Sequence, residues 1–250
     1  MAIKICVLGS GSKGNSVLVH NGKNTLLIDC GLSARTMMKK LKDLNFSPFD
    51  IDGVLITHEH DDHVRSLDFM SKSVPVYAHE AVMDHLAMKY NVPLNHRMEF
   101  DREFSIGSLD IQPFSVSHDA CFPLGFCLYD GQNKFTYATD LGTCGNDILS
   151  LAEGSSMVMI ESNHDVDMLL KGSYPERLKR RIFSNKGHLS NENCAEAACR
   201  LAEKGARRIV LGHLSEQNNC PELAHWTTTE LLKSRGASDI SVFVANQYTT

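Results

Sequence analysis

In the segment Thr57-His58-Glu59-His60-Asp61-Asp62-His63, four side chains within six positions, His58, His60, Asp62 and His63, carry imidazole or carboxylate donors. Neutral imidazole together with carboxylate is the ligand chemistry of zinc and of other borderline or hard divalent ions. The spacing adds geometry. Gly53-Val54-Leu55-Ile56-Thr57 reads as a buried strand, and if extended backbone continues beyond it, His58 and His60 project to the same side and converge. Asp62 and His63 are adjacent, so they point apart in an extended chain; they fit a turn into a helix over 64–70 and are placed to serve a second ion. Asp62 alone would also suit a helix cap, but a cap requires one Asp and leaves three histidines unexplained.

The elements that must position these groups follow from the hydrophobic pattern. A strand near residues 2–8 leads through a Gly/Ser loop to two short strands around 17–19 and 25–28, joined by the turn signal Asn21-Gly22, and then to a helix over about 33–44. A strand at 75–77, a helix over 79–89 and an apolar alternation around 108–117 come next. Residues 125–129 and 134–138 flank Asp130-Gly131-Gln132-Asn133 as a hairpin. Met157-Val158-Met159-Ile160 reads as a strand ending at Glu161, and helices are expected over 173–183, 190–204 and 221–234, with strands at 208–212 and 240–244. Apolar strands therefore run repeatedly into a candidate ligand: Thr57 into His58, Ser117 into His118, Thr139 into Asp140 and Gly212 into His213. Ligands at strand ends meet along one sheet edge. Strands and helices alternate in two comparable halves, which predicts one α/β domain over 1–250, a four-layer αββα sandwich with two mixed β-sheets.

Composition is that of a soluble globular chain, with 42% hydrophobic and 22% charged residues. The net charge of −5 argues against a uniformly basic nucleic-acid coat but leaves room for a local basic channel. The eight cysteines form no CxxC pair and are expected mostly as reduced core residues. The opening Met1–Leu8 is too short for a signal peptide, and no apolar run suits a membrane span, so the expectation is a cytoplasmic protein with no membrane contact.

The ordered set His58-x-His60-x-Asp62-His63, His118, Asp140 and His213 resembles that of metallo-β-lactamase-fold hydrolases over nearly the whole chain. The resemblance implies that His58, His60 and His118 bind one metal, that Asp62, His63 and His213 bind another, and that Asp140 bridges them. Flavodiiron relatives carry Glu where His60 stands, so the resemblance favours hydrolysis. Three further segments are similar to the YycJ-type (WalJ, VicX) exonuclease family: the Gly9–Ser16 loop, Glu161-Ser162-Asn163-His164-Asp165, and Gly187-His188-Leu189-Ser190 followed by Gly212-His213-Leu214-Ser215. That family implies a metal-dependent phosphodiesterase, a 5′-to-3′ DNA exonuclease with a hydroxide held between two divalent ions, and replication or repair proteins as partners. A metal-bound water has its pKa lowered to about 7.

His188 would lie beside the scissile phosphate, offsetting charge or donating a proton, with Glu161 setting its tautomer; a capping position ahead of a helix is the bland alternative for His188. Ser12 and Asn15, in the Gly9–Ser16 loop, would sit near the metals if the loop binds phosphate, while a simple turn would serve only to connect strands. Arg177, Lys179, Arg180, Arg181 and Lys186, and a second group of Arg200, Lys204, Arg207 and Arg208, suit either phosphate contacts or solvated helix faces. No aromatic stacking platform is legible, Trp226 being assigned to the core. Zinc, manganese and iron all suit the ligands, and DNA or RNA ends suit the site. Two other classes share features with this reading: a glyoxalase II-like thioesterase or lactonase, which needs no phosphate-side histidine, and a non-enzymatic accessory protein of a two-component signalling system.

Overall fold

The computed structural model describes residues 2–131 and 133–247. In the first half, strands β1 (Lys4–Gly9), β2 (Ser16–His20), β3 (Thr25–Ile28), β4 (Gly53–Leu55), β5 (Val76–His79) and β6 (Arg97–Phe100) form a sheet in that order. The β1/β2 and β2/β3 pairs are antiparallel; the other three are parallel. The second sheet holds β7 (Phe104–Ile106), β8 (Leu109–Ser115), β9 (Leu124–Asp130), β10 (Asn133–Ala138), β11 (Met157–Glu161), β12 (Arg208–Gly212) and β13 (Ser241–Val244) in a run from β13 to β7. It is antiparallel from β7 to β10 and parallel from β10 to β13. Both sheets are mixed.

Period-two burial explains the layering. In β3, Leu26 and Ile28 face the second sheet, whereas Leu27 packs with Met37 and Leu41 of α1 (Ala34–Asp43). Across the sandwich, Met159 and Val210 join the inter-sheet core, while Val158, Ile160, Ile209 and Leu211 pack with residues of the helices on the outer face. Each central strand is therefore apolar on both faces, the usual mark of parallel strands covered on both sides. The layers are helix, sheet, sheet, helix.

Elsewhere on the first sheet, α2 (Asp61–Val64), α3 (Leu67–Met70) and α4 (Glu80–Tyr90) complete the helical layer. The second sheet is followed or covered by α5 (Asn146–Leu151), α6 (Val166–Lys171), α7 (Glu176–Ile182), α8 (Asn191–Glu203) and α9 (Pro221–Ser234). The one helix expected over 64–70 is two short ones. Ser66 explains the break: its backbone N–H and hydroxyl both donate to the Cys30 carbonyl, at 2.9 and 2.8 Å, anchoring the chain to the end of β3. β6, β7, α5 and α6 arise where the sequence pattern predicts no element; all are too short to show a period. Gln132 of the expected β9–β10 turn lies outside the described residues. Trp226 is 60% exposed on α9 and is not a core residue. No helix among the described residues is long and apolar enough to cross a membrane.

Candidate metal centre

The chain reverses abruptly where strands reach the shared edge. Asp29, Asp140 and His213, each within two residues of the end of β3, β10 or β12, adopt left-handed backbone with φ of 60°, 57° and 55°. Such conformations are uncommon for residues other than Gly, with Asn, Asp and His the types that adopt them most readily, and cost on the order of 1–3 kcal/mol each. They bring Asp140 and His213 to one point and set Asp29 behind His63, which faces it.

Two donor sets surround that point. His58, His60 and His118 can place ligand atoms within 4.8 Å of one another, and so can Asp62, His63 and His213. Asp140 lies between them: its Oδ1 is 3.6 Å from His118 Nε2, and its Oδ2 is 3.1 Å from His63 Nε2. All seven sequence-expected ligands are thus brought together. Asp62 is not the helix cap; His60 occupies that position on α2 and makes no side-chain capping bond.

The outer ring nitrogens show how the inner ones are aimed. His63 Nδ1 donates to Asp29 Oδ2 at 2.7 Å, His118 Nδ1 to the Gly187 carbonyl at 3.2 Å, and His213 Nδ1 to Glu161 Oε1 at 2.7 Å. Each acceptor can only accept, so each Nδ1 carries the hydrogen and each neutral ring presents a lone pair at Nε2. His58 follows the same logic: the Thr57 hydroxyl donates to Asp29 and accepts from His58 Nδ1 at 2.9 Å. Three buried atoms at the centre, His118 Nε2, Asp140 Oδ2 and His213 Nε2, have no hydrogen-bond partner among the described residues. An unsatisfied buried polar atom costs about 1–3 kcal/mol. Three acceptors facing one point fit a cation.

Electrostatics agree. Burial disfavours charge on His58 and His118 and holds both below the ordinary imidazole range. Burial also opposes charge on His63 and His213, but Asp29 and Asp140 at the former, and Asp140, Asp62 and Glu161 at the latter, outweigh it and hold both above that range. The carboxylates that favour a proton on these rings would equally favour a divalent cation between them.

Glu161 is the hub behind the centre. Fully buried, its Oε1 accepts from His213 Nδ1 and, at 2.8 Å, from His188 Nδ1; its Oε2 accepts from the backbone N–H groups of Leu141 and Leu189 at 2.7 and 3.2 Å. Burial alone would raise its pKa, yet His188 and His213 pull the carboxyl down to about 2. His188 lines the cleft over the centre, and Ser12 lines the same cleft. Asn15 donates to Asp62 Oδ2 at 3.2 Å and lies 3.0 Å from His63 Nε2. The Gly9–Ser16 loop therefore abuts the donor sets, and Ser10 Oγ accepts from His213 N at 2.8 Å across the two halves.

Sequence reasoning missed Asp29, although β3 ends beside it just as other strands end beside His58 and Asp140. It also missed Tyr174, which lines the cleft from the turn before α7, whereas Arg181, one of the basic residues expected to suit phosphate contacts, lines it from α7 itself. Of the basic groups, Lys179 is buried with its ammonium donating to the Leu170 carbonyl, Lys204 pairs with Glu153, and Arg207 donates to the Ala202 and Ala206 carbonyls. These three serve the fold. Arg181 pairs with Asp119 at the cleft mouth.

A tight backbone triangle secures the ligand segment. Asn15 N donates to Asp62 O at 2.7 Å and Gly31 N donates to Asn15 O at 2.9 Å, while a Cβ at Gly31 would stand 1.6 Å from Asp62 O. Gly31→Ala must displace the Asp62 backbone; overpacking of this kind costs about 1–3 kcal/mol or more. We expect a lower thermal midpoint together with substoichiometric metal in Gly31→Ala, measured by calorimetry and elemental analysis. Wild-type values for both would contradict this account of the loop.

Topology and clustered donors together define the metallo-β-lactamase class, and residues 24–214 match the beta-lactamase superfamily domain. The crystal structure of the metallo-β-lactamase-fold protein YhfI from Bacillus subtilis superposes with a TM-score of 0.77 at 16% identity, covering 99% of this chain and 98% of that one, which shows the shared fold. The exodeoxyribonuclease WalJ of Streptococcus pneumoniae is 37% identical over 239 residues, 93% of this chain and 89% of its own. The exodeoxyribonuclease YycJ of Bacillus anthracis is 35% identical over 243 residues, 94% and 91% respectively. The chain belongs to this WalJ/YycJ family of the metallo-β-lactamase superfamily. Its histidine and carboxylate clusters are those of a divalent-metal site.

Proposed function

We propose that this chain is a two-metal phosphodiesterase that removes nucleotides from DNA ends, with 5′-to-3′ polarity carried over from the family resemblance. The observation that carries the reading is Glu161 gripping both His213, in a donor set, and His188, in the cleft wall, through one oxygen. A thioesterase needs no such second histidine. His58, His60 and His118 would hold one divalent ion, Asp62, His63 and His213 the other, and Asp140 would contact both; zinc, manganese and iron all fit these donors. Such ions supply a water ionised near neutral pH and positive charge against the attacked phosphate.

The remaining chemistry belongs to the chain. Because Glu161 keeps the hydrogen on His188 Nδ1, the protonated ring presents Nε2–H to the cleft. There it can bond a phosphate oxygen or donate to the departing alkoxide. Burial disfavours that proton, and the Glu161 carboxylate outweighs burial and holds the His188 pKa above the ordinary range. Ser12 lines the cleft, where its hydroxyl can meet a bound phosphate, while Asn15, buried behind it, spends its amide on Asp62 and His63 and so holds the donor set in place. His58, His63, His118 and His213 stay fixed through their Nδ1 partners.

The test is turnover of end-labelled DNA, end-labelled RNA and a generic thioester by chelator-treated protein before and after addition of manganese or zinc. Restoration of stepwise release from a DNA end is the expected result. Release starting from the opposite end would correct the polarity alone, and metal-dependent thioester hydrolysis without phosphodiester cleavage would overturn the proposal.

A further inference from the structure

We infer, resting on the phosphodiesterase reading above, that the turn before α7 and one face of that helix form a nucleotide platform, with Tyr174 as the surface on which an unpaired terminal base stacks. The cleft over the metal centre has a volume of ≈ 230 Å³. That is smaller than the roughly 300–1,000 Å³ typical of sites for drug-sized ligands. It matches a single nucleotide unit better than a base pair. The substrate class is therefore an end presented as a single strand.

Three features of the wall match the parts of a nucleotide. Tyr174 and Leu178 line the cleft, are only partly buried, and give it an aromatic and an aliphatic face. The Tyr174 hydroxyl makes no hydrogen bond to another described residue, so its ring is not tied down at the tip. Arg181 is the one Arg or Lys among the described residues lining this cleft, where Asp62 and Asp140 supply the opposite charge. Its Nε and Nη2 donate to Asp119, whose Oδ1 is 3.5 Å from His118 Nε2, which stations the guanidinium at the cleft mouth for the next phosphate.

The wall is rigidly coupled to the chemistry. His188 N donates to the Ile182 carbonyl at 3.0 Å, and a Cβ at Gly187 would lie 2.2 Å from that oxygen and 2.3 Å from the Arg181 carbonyl. No gap separates the end of α7 from the histidine that would face the phosphate. Tyr174 and His188 line the same cleft from opposite ends of this short helix, so a base stacked on the one and a phosphate held by the other belong to a single bound strand, whereas a duplex would have to unpair first.

The decisive measurement is kcat/KM on 5′-phosphorylated single-stranded oligonucleotides carrying either a normal or an abasic terminal nucleotide. Base–aromatic stacking predicts that wild type favours the normal end by roughly 5- to 150-fold. Tyr174→Leu should bring the ratio near one, and Tyr174→Phe and Tyr174→Trp should retain it. A structural role for Tyr174 would not make the loss depend on the base. An active wild type that ignores the missing base, prefers blunt duplex, or keeps its discrimination in Tyr174→Leu would overturn the platform and leave the phosphodiesterase reading intact. A wild type unable to cleave any nucleic acid defeats both.

Discussion

His188→Ala is expected to lower phosphodiester turnover by about 10²- to 10⁴-fold, the range of a lost general acid, while metal stoichiometry stays at the wild-type value. The reason lies in how differently the histidines are set. His118 and His213 have side chains 1% and 4% exposed with an unpartnered inner nitrogen; His188, at 15%, opens onto the cleft and has its Nδ1 committed to Glu161. Removing it opens the cleft but leaves both donor triads whole. Elemental analysis of the purified variant, alongside turnover of labelled DNA, separates the possibilities. Since His188 can also group with Asp140, Glu161 and His213 within ligand distance, metal lost in step with activity would reassign it as a ligand. Unchanged turnover would remove it from the chemistry altogether.

For Glu161→Gln, we expect metal affinity to fall about 10- to 100-fold, as when a residue orienting a ligand is lost, with turnover falling further because His188 loses its partner too. Shape is conserved, but bonding is not. The wild-type carboxylate accepts four N–H groups, two from imidazoles on Oε1 and two from the backbone on Oε2. A carboxamide has one acceptor oxygen. Either orientation of the substituted amide sets its NH₂ against two donors, in the backbone or in the imidazoles. Leaving buried donors unmatched costs about 1–3 kcal/mol, a drop of several degrees in Tm for a chain of this size. Calorimetric titration of the apoprotein with zinc or manganese provides the check. Wild-type affinity in Glu161→Gln would show that Glu161 plays no part in orienting His213.

Much of this centre was legible because its donors obey short-range rules. Residues 58–63 announce themselves by density, and His118, Asp140 and His213 by following apolar strands. The αββα layering was legible as well, since strands and helices alternate in two comparable halves and runs such as Leu26-Leu27-Ile28 suit strands covered on both faces. β6 and β7 escaped because strands of three or four residues with exposed polar positions such as Glu99 and Ser105 carry too little pattern to separate from loop. Trp226 escaped because a large apolar residue does not by itself specify a buried position.

The sequence by itself determined which side chains are present as donors, in what order, and that strand ends would deliver them. Only the tertiary structure decided which nitrogen of each ring faces inward. That choice depends on partners distant in the chain: Asp29 lies 34 positions from His63, Glu161 lies 52 from His213, and Gly187 lies 69 from His118. The structure alone also brought Tyr174 and Arg181 over the centre. α7 carries no ligand of its own, and its place depends on backbone contacts that leave no room for a Cβ at Gly187. Hydrophobic period and ligand spacing are local properties, written into consecutive residues; hydrogen-bond pairing and cleft shape are relations between segments and exist only once the two sheets have packed.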